Sequence, residues 1–127
     1  MAEVFLKQAK LWEKVDFQVG YAQNIFHAIE DTFDICYNDA DKGDYPEIWQ
    51  MAKKRINPGG LYIADNVLWH SRVAIENPID IVPGWTEAIL EHNRTIFQDP
   101  RCGSRSLKVT SMLIYFGKSS SGSSVFH

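Results

Sequence analysis

Phe33-Asp34-Ile35-Cys36-Tyr37-Asn38-Asp39-Ala40-Asp41-Lys42 reads as a strand that ends in oxygen ligands. The run from Phe33 to Asn38 is apolar enough to be buried on both faces, as the strands of a parallel sheet are. A second stretch, Pro58-Gly59-Gly60-Leu61-Tyr62-Ile63-Ala64-Asp65-Asn66, repeats the pattern by closing Leu61 to Ala64 with a carboxylate and an amide. Asp39, Asp65 and Asn66 would then converge at the carboxyl ends of neighbouring parallel strands. Open α/β sheets bind their ligands there.

The flanking sequence supplies helices for such a sheet. Residues 3 to 12 place Val4, Phe5, Ala9 and Trp12 at helical spacing, and Val15-Asp16-Phe17-Gln18-Val19 alternates as a strand up to Gly20. From Ala22 to Glu30, Ile25, Phe26 and Ile29 form one helical face. Asp44-Tyr45-Pro46-Glu47 combines an N-cap candidate, an early proline and an acid, predicting a helix to Ile56 with Ile48, Met51, Ala52 and Ile56 inward. Lys53, Lys54 and Arg55 suit its C-terminus. Pro58-Gly59-Gly60 reads as a turn and lacks the spacing of a phosphate loop.

Trp69 to Gly84 reads as a long irregular loop, and Trp85 to Gln98 as a helix burying Trp85, Ala88, Ile89 and Ile96. Arg105 to Val109 and Met112 to Phe116 predict an antiparallel strand pair at the sheet edge. Ser119 to Ser124 is Ser/Gly-rich and reads as disordered. The order α-β-α-β-α-β-loop-α-β-β predicts an α/β sheet with helices on both faces and an antiparallel end.

The 127 residues bound a single domain, 45% hydrophobic and 23% charged, as in soluble globular proteins. A net charge of -3 leaves no broad electrostatic footprint for nucleic acid or an anionic membrane surface. The apolar runs are too short for a membrane helix, and Met1-Ala2-Glu3-Val4 lacks a basic segment followed by a hydrophobic one, so a cytoplasmic location is expected. Cys36 and Cys102 lack CxxC spacing and read as reduced thiols. His27 and His92 fall on predicted helices and carry no site assignment, and His70 in the loop reads as a surface histidine.

Hard divalent cations such as Mg²⁺ take oxygen ligands, usually one or two carboxylates with water and substrate completing the shell. Asp39, Asp65 and Asn66 would supply three oxygens and leave positions for vicinal hydroxyls, whose ionisation a cation favours. Lys42 is a candidate proton acceptor, since like charge and desolvation push a lysine toward neutrality. Spacing alone leaves a second reading open, because strand-end aspartates also cap helices and accept backbone hydrogen bonds.

Residues 33–45 together with 57–69, and more weakly Asn93, Phe97 and Asp99-Pro100-Arg101, resemble the cation-dependent O-methyltransferases of the catechol and caffeoyl-CoA type. The resemblance covers roughly residues 2 to 118. It implies a Rossmann-like methyltransferase sheet, truncated, mostly parallel with an antiparallel C-terminal strand pair. It also implies methyl transfer from S-adenosylmethionine to a hydroxyl of a catechol-like aromatic substrate held on Mg²⁺ or another divalent cation.

Carried over by residue, the resemblance implies that Asp39, Asp65 and Asn66 hold the metal and that Lys42 is the base. Gly20, Tyr21, Ala22 and Gln23 would flank the adenine, with Asp39 and Tyr45 also on the cofactor side and Trp69 beside the substrate. Family members often carry Asp where this chain has Tyr21. The family's opening strand, its glycine-rich turn and the acid that binds the ribose have no counterpart in these residues, and Ser104 to Lys108 replaces an acidic turn. Residues 1–118 are therefore expected to be a partial domain and 119–127 a tail. A homodimer or a complementing N-terminal chain are the expected macromolecular partners. The alternative function is a non-catalytic remnant acting as a metal-binding or interaction module; a receiver-type phosphoryl acceptor at Asp39 ranks third.

Overall fold

The computed structural model describes residues 2–80 and 82–100 in full, and 102–107 and 112–117 as backbone. Four strands, β1 (Phe33–Asn38), β2 (Ile56–Ala64), β3 (Cys102–Leu107) and β4 (Met112–Gly117), form one sheet in the order β1-β2-β4-β3. β1 and β2 run parallel, and β4 pairs antiparallel with both β2 and β3. This is the expected α/β sheet with an antiparallel C-terminal pair. β3 starts at Cys102 rather than Arg105. The expected 119–127 tail and the connection around Thr110 lie outside the described residues.

Helices α1 (Ala2–Gln8), α2 (Ala22–Ala28), α3 (Tyr45–Ala52) and α4 (Trp85–Gln98) accompany the sheet. None of the described helices is long and apolar enough to cross a membrane. In α3, Tyr45, Ile48, Trp49 and Ala52 are buried, at spacings of three and four that place them on one face. The helix ends at Ala52, not Ile56, and Met51 is only partly covered. Ile56 instead opens β2, because the turn through Lys53–Arg55 releases the chain into pairing with Phe33.

Pro58-Gly59-Gly60 lies inside β2 rather than before it. Phe33 pairs with Ile56, yet Ile35 pairs with Leu61, so β2 bulges outward over the proline and glycines. Gly60 makes that bulge fit. A Cβ there would lie 2.8 Å from the Asp34 carbonyl and 2.9 Å from that of Asn57, closer than any side chain tolerates.

Two expectations are corrected. Val15–Val19 forms no strand; it has no regular secondary structure and is exposed, with Val19 87% accessible. Alternation makes a segment competent for pairing, but a strand exists only where a neighbour takes its hydrogen bonds, and the pairings among the described residues do not reach it. Nor is β1 buried on both faces. Cys36 and Asn38 face a core with Tyr62 and Ala64, while Ile35 and Tyr37 remain 59% and 55% exposed. Helices therefore cover one face at this edge rather than two. The core joins Tyr45, Trp49 and Ala52 of α3 and Ile96 of α4 to Tyr62, Ala64 and Val67.

Candidate active site

The ends of β1 and β2 are tied together. The Asp65 N–H donates to the Asn38 carbonyl at 3.1 Å, holding the two strand ends in register. Beyond β1 the chain enters a short 3-10 turn, Lys42–Asp44, that runs directly into α3. Asp44 sits at the N-cap position but makes no side-chain cap bond, so the turn itself and Pro46 start the helix. This geometry swings Lys42 inward beneath Asp39.

Lys42 is buried, at 7% exposure. Its Nζ lies 3.4 Å from Asp39 Oδ1 and 2.5 Å from the Tyr45 hydroxyl. Tyr45 is fully enclosed and donates its hydroxyl proton to the Asp65 carbonyl at 2.8 Å. Burial, reinforced by the charges of Asp39 and Asp65, raises the Tyr45 pKa far above the usual phenol range. Desolvation and the same two carboxylates also raise that of Tyr37. Both acids thus act on one small region, with the Asp39 side chain 54% exposed to solvent.

Asn66 follows with φ +55°, a left-handed conformation that asparagine tolerates better than most residues. Its backbone N–H donates to Asp65 Oδ1 at 2.8 Å, and its Nδ2 lies 3.4 Å from Asp65 Oδ2. Asp39, Asp65 and Asn66 are therefore brought to one end of the sheet. No group of three or more His, Cys, Asp or Glu side chains suited to a metal occurs among the described residues. The set here is two carboxylates and an amide oxygen, donors suited to a hard cation that keeps several waters.

Trp69, expected beside a substrate, is 7% exposed and packs against Trp85 at 5.6 Å between ring centroids and under the Arg72 guanidinium. His70 and Ser71 follow it with positive φ and kink the chain between short 3-10 turns within Trp69–Ala74, inside the stretch read as an irregular loop. Asp80 then accepts from the Thr86 backbone N–H at 2.9 Å and from its hydroxyl, tying the loop to the first turn of α4. These bonds hold the Asp80 carboxyl below the usual range.

The Gly20-Tyr21-Ala22-Gln23 segment leads into α2. Tyr21 is 77% exposed and makes no side-chain cap bond. Gln23 Oε1 is buried without a hydrogen-bond partner, an acceptor left open for a donor.

His92 is the residue that periodicity left without a role. It is fully buried, and desolvation pushes its imidazole down to about 4. Tyr62 Oη lies 3.1 Å from its Nε2, and Asn93 Oδ1 3.0 Å from its Nδ1. The signal was present: Ile89, His92 and Ile96 share one helical face, so the histidine had to go inside.

The O-methyltransferase family model matches residues 1–116. Tricin synthase 2 of Oryza sativa subsp. japonica is 32% identical over 114 residues, covering 83% of this chain and 39% of that protein. A caffeoyl-CoA O-methyltransferase of Petroselinum crispum is 32% identical over 107 residues, covering 76% and 44%. The chain thus spans about two-fifths of the length of these curated relatives. Among solved structures, the O-methyltransferase from Bacillus cereus in complex with SAH superposes with a TM-score of 0.79 at 26% identity, over 92% of this chain and 56% of that one. The O-methyltransferase TomG from Streptomyces achromogenes, solved with SAM, has the same fold, with a TM-score of 0.83 at 20% identity over 92% and 56%.

Proposed function

The chain belongs to the O-methyltransferase family, and from that premise we propose that it carries the acceptor and metal part of a cytoplasmic, S-adenosylmethionine-dependent enzyme methylating a catechol-like hydroxyl. The observation that carries this reading is the pairing of Lys42 with Asp39 beside the tied strand ends of Asn38 and Asp65. When bound, S-adenosylmethionine supplies the methyl group and a divalent cation favours the ionised form of the hydroxyl.

Asp39, Asp65 and Asn66 would hold the cation, and their oxygen donors fit a hard ion. Lys42 takes the hydroxyl proton. Two positions on its Nζ are directed at Tyr45 Oη and Asp39 Oδ1, leaving the third to receive it. Tyr45 is unsuited to that task, since its own proton is held by burial and two carboxylate charges. Its role is to join Lys42 to the Asp65 backbone. On the donor side, the unpartnered Gln23 Oε1 fits an adenine amino group, with Gly20, Tyr21 and Ala22 alongside. Asp39 would also lie toward the cofactor, and the Trp69 and Trp85 rings would flank the aromatic acceptor.

Calorimetric titration with S-adenosylmethionine and Mg²⁺, followed by methyl transfer to a catechol, tests the reading. Binding of both and a loss of roughly 10²–10⁴-fold in rate for Lys42→Ala are expected. Absence of heat from either ligand would sink catalysis by this chain alone. A second reading, an interaction module related to such enzymes, is favoured by the exposed Ile35 and Tyr37 on β1, the end strand of the sheet among the described residues. A dimer in light scattering without ligand binding would support it.

A further inference from the structure

The hydrogen bonds around His92 admit a single direction. The Val67 carbonyl can only accept, so the atom of Asn93 facing it at 2.9 Å is the donor Nδ2. Asn93 Oδ1 therefore faces His92 Nδ1 at 3.0 Å, and that nitrogen carries the ring proton. Nε2 is left to accept the Tyr62 hydroxyl proton across 3.1 Å. Tyr62 Oη accepts in turn from Asn38 Nδ2 at 2.9 Å, which leaves Asn38 Oδ1 to take the Ala40 backbone N–H at 3.2 Å. That last group can only donate. Five bonds thus run head to tail from Ala40 to Val67, with both ends chemically obligate.

The two ends are the informative part. Ala40 follows Asp39, and Val67 follows Asn66, so the bonds join the two turns that carry the oxygen ligands. We infer that this oriented chain sets the spacing between the Asp39 turn and the Asp65–Asn66 turn, with Tyr62, His92 and Asn93 of β2 and α4 as positioning residues. The inference rests on the cation-site reading for its purpose, but not for its geometry.

Asn38, Tyr62 and His92 are 3%, 1% and 0% exposed, so water cannot substitute for a lost member. In such a setting one broken link leaves unpaired groups on both sides, and the network responds as a unit. Partners behind a metal's direct ligands typically change affinity by about 10–100-fold when removed. The direct Asp65 N–H to Asn38 bond holds the strand ends themselves. The longer path holds the turns beyond them.

Two variants of the full chain test this. Tyr62→Phe keeps the ring against Trp49, 5.0 Å between centroids, and removes only the hydroxyl. Asn93→Leu breaks the far end, where no substituted atom touches Ala40. The readouts are hydrogen exchange of the Ala40 amide relative to the amides paired between β1 and β2, and Mn²⁺ affinity by spin resonance. Both variants should raise Ala40 exchange by about five- to tenfold with the paired amides unchanged, and weaken Mn²⁺ binding by about 10–100-fold. Unchanged Ala40 exchange in Asn93→Leu overturns the coupling; should that variant not fold, unchanged exchange in Tyr62→Phe does so. If the unaltered chain binds no Mn²⁺, the cation-site reading fails, and the Ala40 result still decides the inference.

Discussion

His92 lies at 0% exposure, and burial pushes its imidazole from the ordinary 6.5 down to about 4. A depressed histidine pKa means that the unfolded chain binds the proton more readily than the folded one. The contribution of neutral His92 is therefore complete above about pH 6.5 and is lost as pH falls toward 4. At 1.36 kcal/mol per unit, the loss amounts to ~3 kcal/mol. Urea melts at pH 7 and pH 4.5 should show that fall, and His92→Gln should show a smaller difference in stability between the two; an equal difference in the variant would reject it. At the same scale, the positions of Asp39, Lys42, Asp65 and Asn66 just beyond the ends of β1 and β2 were legible from their order after apolar runs. The partner of Lys42 was not, because Tyr45 reaches it only when a 3-10 turn feeds α3. Nor was the enclosure of Trp69, which depends on Trp85 and Arg72 from outside its own segment.

Elements with their own periodicity kept the bounds read for them, although Trp85 and Ala88 of α4 are only partly buried and β1 is covered on one face. α4 runs from Trp85 to Gln98 and β1 from Phe33 to Asn38 because their apolar spacing needs no distant information to be seen. β2 differs: its pairing begins before Pro58-Gly59-Gly60, and only the register with β1 reveals the bulge. Gly60→Ala is expected to destabilise the chain by about 1–3 kcal/mol, because two of the atoms its Cβ would meet are backbone oxygens that cannot swing away. A urea midpoint equal to that of the unaltered chain would contradict this. Val15–Val19 shows the opposite failure, with the pattern of a strand and no neighbour to complete it among the described residues. The loop before α4 is ordered by Asp80 and Thr86, a pairing across six positions that no local rule predicts.

For the whole molecule, the proposed site links ligand binding to stability. A cation that binds only the folded chain raises its stability by RT ln(1 + [L]/Kd), or about 2.7 kcal/mol at a hundredfold excess over Kd. Mg²⁺ or Mn²⁺ should therefore raise the melting temperature of this chain, and Asp39→Asn with Asp65→Asn should abolish the rise. A rise that survives the double substitution places the cation elsewhere. The face of β1 that carries Ile35 and Tyr37 stays open while the opposite face holds the core, so this sheet is packed on one side at that edge. By itself the sequence determined the α/β class, the parallel β1–β2 pair with its antiparallel end, and the acids and amide at the strand ends. Residue order and apolar period encode those features locally. Only the tertiary structure decided which face is buried, where β2 begins, that Val15–Val19 has no strand partner among the described residues, and that His92 joins Tyr62 to Asn93. Each of these depends on which groups from distant segments meet out of water, and the free energy of such meetings is set by the packed whole.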